Sequence, residues 1–382
     1  MIIKKLISFL ILLLFFSNTM DAQIHTKGYE KKIDSIIQTE FGNENEPGGV
    51  FLITQKGKNL YRKAFGKANL ELNVNMTPEN VFQIGSMTKQ FTAVAILMLE
   101  QQGKLSVNDP ISKYIKDYPN GDKITIHHLL THTSGIKDFT KMKSISSIAQ
   151  KEMKPEEMVN FFKNEPVDFA PGEKFDYNNS GYVVLGYIIE LVSGNSYEDF
   201  IKKNIFDTTG MTHSYYASDR KVILQRAYGY HKKEQGFVNK TVISFSVPFS
   251  SGSLMSTVDD MLKWQQALLQ NTLLNSTETQ KAFQKYKLNS GEEFTYGYGW
   301  HLKDINGTPD REHGGSVFGF KSMGVYIPSE DIYVIGFSNC DCHSPTEVIR
   351  NIAKATLSEV KTSSKKHTNN PDYFLRLISG RT

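Results

Sequence analysis

Strand-like segments lie at both ends of this chain, with mostly helical patterns between them. Near the N-terminus, residues 50–54 and 60–65 flank a glycine turn, which predicts a β-hairpin. Strand patterns return at residues 296–327 and 332–337, and a helix follows at 345–359. Because both ends supply strands, we expect an α+β fold. It would have one antiparallel sheet flanked by terminal helices, with a mainly helical lobe inserted.

The domain boundaries follow from this pattern. With 382 residues, the chain suits one large two-lobed domain, which we place at residues 23–361. The sheet lobe is predicted at 23–85 and 291–361, and the helical lobe at 86–290. The composition then turns polar and basic, which predicts a mobile tail at 362–382.

The first residues predict a secretory signal peptide at positions 1–22. Lys4 and Lys5 precede a short apolar run, and Ala22 supplies a small residue at the expected cut. The pattern predicts export to the periplasm or the medium, with no membrane span after cleavage. Met20 is not the small residue usual at its position, so an uncleaved anchor stays an alternative.

Charge and cysteine content argue against other classes of protein. The formal net charge is only +4, and the folded part has no basic run, which argues against a nucleic-acid partner. Cys340 and Cys342 are the two cysteines, one residue apart. We interpret them as packing residues at a strand end, because they form neither a disulfide framework nor a four-ligand zinc site. We expect no cofactor and no metal, and the oligomeric state stays open.

A serine and a lysine lie three residues apart at the start of a long apolar helical pattern. Ser86 and Lys89 would share one helix face, where the lysine amine can reach the serine hydroxyl and activate it as a nucleophile. The apolar stripe continues to Leu99 and ends near Gly103, a plausible C-cap. The simpler alternative is an N-cap serine followed by an exposed lysine.

Two histidines one helical turn apart, His128 and His132, resemble a metal-binding pair. No glutamate lies between them as the metalloprotease pattern requires, so a metal site is the weaker interpretation. We expect both side chains to hold loop backbone instead.

Two later segments carry candidate site residues. Tyr177 and Asn179 lie in a polar loop before an apolar helix, and such loops often carry function. Its alternative is an ordinary turn with a packed tyrosine. His313, Gly315 and Ser316 enter one of the C-terminal strands.

Taken together, these segments resemble the serine hydrolases of the β-lactamase and penicillin-binding-protein superfamily. The motifs are Ser86-Met-Thr-Lys89, Tyr177-Asn-Asn179 and His313-Gly-Gly315, in this order. The chain is most similar to the branch of class C β-lactamases, D-alanyl-D-alanine carboxypeptidases and related esterases. The resemblance covers residues 48–357 and implies a β-lactamase/transpeptidase-like fold.

The resemblance also implies roles for these residues. Ser86 would be the acylated nucleophile and Lys89 its base, while Tyr177 would share their proton network and help to activate the deacylating water. Asn179 would bind the substrate's amide or backbone. His313, Gly315 and Ser316 would line the substrate site, with the backbone N–H groups of Ser86 and Ser316 forming the oxyanion hole. The substrate would be a small molecule or a peptide.

One departure from the family pattern concerns the substrate. His313 stands where many β-lactamases have lysine, and a histidine can be uncharged near neutral pH. We therefore favour an amide or ester hydrolase of the carboxypeptidase and esterase kind over a β-lactamase. A non-catalytic module that binds peptidoglycan or another ligand, and a metallohydrolase that uses the histidines, are the other hypotheses.

Overall fold

The computed structural model of the protein describes residues 27–368. Helices fill most of the middle of this part of the chain. They are α1 over residues 27–41, α2 (Thr88–Gln101), α3 (Ile126–Leu130), α4 (Pro155–Phe162), α5 (Asn179–Ser193), α6 (Tyr197–Ile201), α7 (Asp207–Thr209), α8 (Val258–Leu269), α9 (Ser276–Ala282) and α10 (Pro345–Thr368). A π-helical turn, Lys202–Phe206, joins α6 to α7.

The strands form one large sheet and several short pairings. They are β1 (Gly49–Gln55), β2 (Lys58–Phe65), β3 (Lys67–Asn69), β4 (Val74–Asn75), β5 (Phe82–Gln83), β6 (Tyr215–Tyr216), β7 (Tyr230–Lys233), β8 (Gly236–Asn239), β9 (Leu254–Ser256), β10 (Tyr286–Lys287), β11 (Glu293–Phe294), β12 (His301–Ile305), β13 (Thr308–Val317), β14 (Phe320–Ile327) and β15 (Ile332–Ser338). The large sheet has the order β12-β13-β14-β15-β1-β2, and every neighbouring pair is antiparallel.

The two ends of the chain meet in the middle of this sheet. β1 pairs with β15, with Gly49 opposite Ser338 and Gln55 opposite Ile332. The hairpin β1–β2 lies where the sequence predicted it, and helices lie between β5 and β12. The predicted α+β fold, an antiparallel sheet with an inserted helical region, is confirmed.

Both faces of the sheet are covered. Ile33 of α1 and Ile352 of α10 pack with Phe51 on one face, while Val50 and Leu52 belong to the core shared with the helical region. Successive side chains of a strand point to opposite faces, so β1 is buried along nearly its whole length. The apolar runs at both ends of the sequence have this physical cause.

Helix α2 lies at the centre of the core that the sheet shares with the helical region. Every residue from 91 to 97 is fully buried, and Phe91 stacks on Trp264 of α8 with ring centroids 4.1 Å apart. A helix that is apolar on all sides must be buried on all sides. The first turn of α2, which carries Lys89 and directly follows the turn that contains Ser86, is thereby held in the interior.

The structure differs from the sequence-based expectations in two places. α10 continues to Thr368, past the predicted start of a tail at residue 362. Cys340 is buried just after β15, as expected of a packing residue at a strand end, but it is joined to Cys342 by a disulfide that the sequence analysis did not predict. The chain turns after β15 and brings their Cα atoms to 5.1 Å, within the range that a disulfide spans.

The predicted signal peptide at 1–22 and residues 369–382 lie outside the described residues. Between residues 27 and 368, no helix is both long enough and apolar enough to cross a membrane.

Candidate active site

Ser86 lies in a tight turn between β5 and α2. The turn, Gly85–Met87, is a 3-10 helix that runs directly into α2, and Gly85 has φ +52°, which glycine adopts at little cost. The Ile84 N–H donates to Leu254 of β9 at 3.0 Å, which anchors the turn. Ser86 therefore stands at the N-terminus of a buried helix, where amide N–H groups and the helix dipole favour negative charge.

Lys89 is fully buried and points at Ser86. Its Nζ lies 3.3 Å from the Ser86 Oγ, 2.8 Å from the Asn179 Oδ1 and 2.9 Å from the Ser251 carbonyl oxygen. The last two atoms can only accept hydrogen bonds, so they take the two N–H groups of a neutral amine. Its lone pair is then left for the Ser86 hydroxyl.

The protonation of Lys89 follows from its surroundings. Burial lowers the pKa of Lys89 to about 7, while the negative charge of Asp138 acts in the opposite direction. The amine is therefore substantially neutral near pH 7 and can accept a proton. The alternative interpretation of an exposed lysine behind an N-cap serine is wrong.

Asn179 is the first residue of α5 and lies between Lys89 and a buried carboxylate. Its Nδ2 donates to the Asp138 Oδ2 at 3.2 Å and, more weakly, to the Thr140 Oγ1 at 3.4 Å. The predicted role of Asn179 in substrate binding stays a prediction, because the contacts of its amide group in the structure are with the protein itself.

Tyr177 is positioned over Lys89 by hydrogen bonds between its two neighbours in the chain and His132. The backbone N–H groups on either side of it, those of Asp176 and Asn178, each donate at 3.0 Å to His132, one to its carbonyl oxygen and one to its Nδ1. The His132 and Tyr177 rings are 4.3 Å apart, and the Lys89 Nζ lies 4.8 Å from the centre of the Tyr177 ring.

The Tyr177 hydroxyl is buried without a hydrogen bond of good geometry. Burial raises the pKa of Tyr177 far above its ordinary value, although the nearby Ser86 hydroxyl acts in the opposite direction. Tyr177 therefore stays a neutral phenol at physiological pH. Of Lys89 and Tyr177, Lys89 is therefore the group that can accept a proton at this pH.

Strand β13 closes the other side of the Ser86 turn. A Cβ added to Gly85 would lie 2.8 Å from the Ser316 amide nitrogen, and one added to Gly315 would lie 2.0 Å from the Ile84 carbonyl oxygen. β12 pairs with β13 only as far as Glu312, so this edge of the strand is not occupied by β12 beyond that point. The backbone of Ser316 thus comes close to the Ser86 turn, as an oxyanion hole formed by these two residues requires.

Comparison with known proteins agrees with this geometry. The family described as Beta-lactamase matches residues 33–357 of the chain. The chain belongs to the beta-lactamase family. PbpX of Bacillus subtilis (strain 168), whose name calls it a penicillin-binding protein, is 31% identical over 319 residues, which cover 84% of this chain and 76% of PbpX.

Solved structures show the same fold. The octameric penicillin-binding protein homologue from Pyrococcus abyssi superposes with a TM-score of 0.75 at 31% identity, covering 86% of this chain and 77% of that one. The D-amino acid amidase from Ochrobactrum anthropi SV3 superposes with a TM-score of 0.74 at 24% identity, covering 87% of this chain and 99% of that one. The second likeness is one of fold.

His313, the departure from the beta-lactamase pattern, is buried and uncharged. Its Nδ1 donates to the Gly314 carbonyl oxygen at 2.6 Å, so its Nε2 accepts from the Tyr296 hydroxyl at 3.1 Å. Burial, followed by the nearby His301 and Lys89, keeps the pKa of His313 well below its usual range. His313 lies 6.1 Å from Tyr177, ring centre to ring centre, so the structure brings it to the site as a neutral group.

The structure brings the three motifs of this beta-lactamase family member together and adds residues that sequence reasoning missed. These are Asp138 and the Ser251 carbonyl group. The expectation that His128 and His132 hold backbone is confirmed, since the His128 Nδ1 accepts from the Thr125 N–H at 3.2 Å.

Proposed function

We propose that this protein hydrolyses amide or ester bonds through an acyl-enzyme on Ser86, in the manner of a carboxypeptidase or an esterase. The observation that carries the proposal is the Lys89 amine, buried and 3.3 Å from the Ser86 hydroxyl, with both N–H groups of its neutral form committed elsewhere. A neutral amine in this position is a base aimed at one hydroxyl.

The steps follow from the geometry. The Lys89 lone pair takes the Ser86 proton as Oγ attacks the substrate carbonyl carbon, and the oxyanion accepts hydrogen bonds from the Ser86 and Ser316 amides. The tetrahedral intermediate collapses with loss of an amine or alcohol, which takes a proton from the Lys89 ammonium. Water then attacks the acyl-enzyme with loss of its proton to Lys89, the bond between the acyl carbon and the Ser86 Oγ breaks, and the Lys89 ammonium returns the proton to Oγ as the carboxylic acid leaves. Tyr177, a neutral phenol, would hydrogen-bond the Ser86 oxygen or the water.

The character of His313 supports the choice of substrate class. A neutral imidazole hydrogen-bonded to Tyr296 and Gly314 offers no fixed positive charge for a substrate carboxylate. That argues against β-lactams and equally against peptides whose terminal carboxylate would bind here, so of the two kinds of hydrolase it favours the esterase. The printed names of the relatives, a penicillin-binding protein and an amidase, are consistent with acyl transfer.

The test is Ser86→Ala, with labelling by a fluorescent penicillin or a fluorophosphonate. The expected result is complete loss of label with an unchanged unfolding temperature, because Ser86 Oγ is the attacking atom. Labelling that persists in the variant would remove Ser86 from the mechanism.

Parallel turnover of a short-chain nitrophenyl ester, a D-alanyl-D-alanine peptide and a chromogenic cephalosporin would identify the substrate class. No turnover of any of the three would favour the binding-module hypothesis.

We also propose, from the signal-peptide pattern, that the protein is exported. Fractionation of cells that produce the full chain should place it outside the cytoplasm, shortened by about 22 residues.

A further inference from the structure

We propose that Asp138 is a positioning residue for Lys89, and that it acts through Asn179 to hold the lysine lone pair on the Ser86 hydroxyl. The inference rests on the proposed function of Ser86 as nucleophile. Asp138 lies in none of the three sequence motifs, and it forms no hydrogen bond with Ser86 or Lys89. It orients Lys89 through Asn179, the residue between them, and its negative charge acts on the lysine across the same short distance.

The carboxylate of Asp138 is buried, and each of its two oxygens accepts two hydrogen bonds. Its Oδ1 accepts from the Thr140 backbone N–H at 2.9 Å and from the Thr140 hydroxyl at 2.8 Å. Its Oδ2 accepts from the Asn179 backbone N–H at 3.3 Å and from the Asn179 Nδ2 at 3.2 Å. Asp138 is therefore fixed against the N-terminus of α5, where a negative charge is favoured.

This contact decides which way the Asn179 amide points. A carboxylate accepts hydrogen bonds and cannot donate them, so the NH2 end of Asn179 must face Asp138. Its oxygen must then face Lys89, where it lies 2.8 Å from the Nζ. With the amide reversed, the NH2 group would face the amine, and the lone pair of Lys89 would turn away from Ser86 to accept from it.

Asp138 also acts on Lys89 through its charge. The titratable groups of the elements packed around the amine are neutral: burial raises the pKa values of Tyr177 and Tyr182 and lowers those of His132 and His313. The carboxylate of Asp138 is the charge that raises the pKa of Lys89 against the effect of burial.

A purely structural residue that caps α5 would affect stability but not the proton affinity of Lys89. The decisive measurement is therefore the acid limb of the pH profile of kcat/KM, together with a titration of Lys89 that needs no turnover. The Cε resonance of Lys89 in 13C-lysine-labelled protein serves for this titration. It is assigned by its loss in Lys89→Arg.

Asp138→Asn removes the charge and keeps the side-chain volume. We expect the midpoint of the acid limb of kcat/KM and the midpoint of the Lys89 NMR titration both to fall by about one pH unit, because the opposite charge near the lysine is lost. We expect the plateau of kcat/KM to fall by about tenfold or more, because an amide at position 138 can present either end to Asn179 and no longer fixes it.

The exchange variant Asp138→Asn/Asn179→Asp keeps one carboxylate and one amide in the pair, so it remains informative if Asp138→Asn folds poorly. It places the negative charge directly against Lys89, and both midpoints should rise above the wild-type value. Asp168→Asn is the matched control, because Asp168 is a surface carboxylate paired with Lys137, and its midpoints should match those of the wild type.

Opposite shifts in the two variants are what the proposal requires. Wild-type midpoints in Asp138→Asn, or shifts of the same sign in both variants, would overturn it. Failure of the proposed function is distinguishable, because label that survives Ser86→Ala would discard the acyl-enzyme while the titration of Lys89 still tests Asp138.

Discussion

Strand β13 contributes to two buried polar clusters, one on each face. On one face, His313 and Gly315 are directed toward the site of the Ser86 turn, where Lys89, Asn179 and Asp138 form a connected set of hydrogen bonds. On the opposite face, Asp310 and Glu312 point toward α10 and its Arg350. Both clusters contain a buried carboxylate beside the same strand. In the first the carboxylate is fully hydrogen-bonded, and in the second one carboxylate is not.

The cluster against α10 is incompletely paired. Glu312 is bound by Arg350 and by Lys303, the latter at 2.8 Å. The Asp310 side chain is 0% exposed, yet its nearest cation, Arg350, is 3.9 Å away and neither of its oxygens accepts a hydrogen bond. Burial, followed by the charge of Glu312, raises the pKa of Asp310 to about 6.

Each cluster thus has a buried oxygen-bearing side chain without a hydrogen bond, Tyr177 at the Ser86 site and Asp310 behind it. The Tyr177 hydroxyl has no hydrogen-bond partner and lies beside Ser86, the proposed nucleophile, where a substrate or water can supply the missing partner. The Asp310 carboxylate accepts no hydrogen bond and lies away from Ser86, where its burial destabilises the fold. Variants of the first cluster should therefore lose activity without losing stability, and variants of the second should change stability alone.

The largest expected effect comes from Lys89→Met, which removes the base and the buried amine together. We expect kcat/KM to fall by about 10²–10⁴-fold. The variant should also be the more stable protein, because burial disfavours the ammonium and lowers the pKa of Lys89 to about 7.

The stability gain of Lys89→Met should depend on pH. Above pH 7 the folded state loses the lysine proton while the unfolded state keeps it, so wild-type stability rises with pH. The gain should therefore be larger near pH 6 than near pH 9, by about 2–3 kcal/mol in urea unfolding. Lys113→Met, at a surface pair with Asp109, is the control and should show no such dependence. An equal gain at both pH values would contradict the burial argument.

Tyr177→Phe should have the next largest effect on activity. Removing a hydroxyl placed beside Ser86 should lower kcat/KM by about 10–100-fold. Stability should stay level or rise by about 1 kcal/mol, because the hydroxyl makes no hydrogen bond that the variant would lose.

Tyr182→Phe is the matched control for Tyr177→Phe. The Tyr182 hydroxyl donates to the Leu130 carbonyl oxygen at 2.9 Å, so its loss leaves a buried acceptor unpaired and should cost about 1–3 kcal/mol. If both variants lose stability equally in thermal unfolding, the Tyr177 hydroxyl has a partner in solution, and the comparison between the two unpaired groups fails.

Much of the fold could be predicted because its signals are local. The spacing of Ser86 and Lys89, the hairpin around residues 55–59 and the apolar pattern of α2 each lie within a few turns of chain. The meeting of β1 with β15 could be inferred because both ends of the chain carry strands, and an antiparallel sheet needs partners for each of them.

The polar network could not be predicted, because its members are far apart in the sequence. Asp138 and Asn179 are 41 residues apart, and Lys89 and Ser251 are 162 apart. No local pattern separates Asp138 from Asp168 or Asp176, which lie nearer the surface. Burial of one carboxylate among several is decided by tertiary packing, and the same reasoning applies to Asp310.

The smallest expected effect comes from Asp310→Asn, which removes the unpaired charge from the second cluster. The folded-state pKa of Asp310 is raised to about 6, so between about pH 4 and 6 the folded state holds a proton that the unfolded state has released. Wild-type stability therefore falls as the pH rises through this range, and the variant lacks that loss. We expect Asp310→Asn to be more stable by about 1–2 kcal/mol near pH 7.5, with the gain gone near pH 4.

The control for Asp310→Asn lies in the same cluster. Glu312 forms buried ion pairs with both Arg350 and Lys303, and Glu312→Gln breaks them. The free energy of unfolding in urea should therefore fall by about 3–5 kcal/mol. Asp310→Asn should leave kcat/KM within about twofold of wild type, because its face of β13 points away from Ser86. A gain independent of pH would mean that Asp310 is not charged when buried. A large loss of activity would mean that the two faces of β13 are coupled, so the strand that holds Ser316 against Ser86 would depend on the charge behind it.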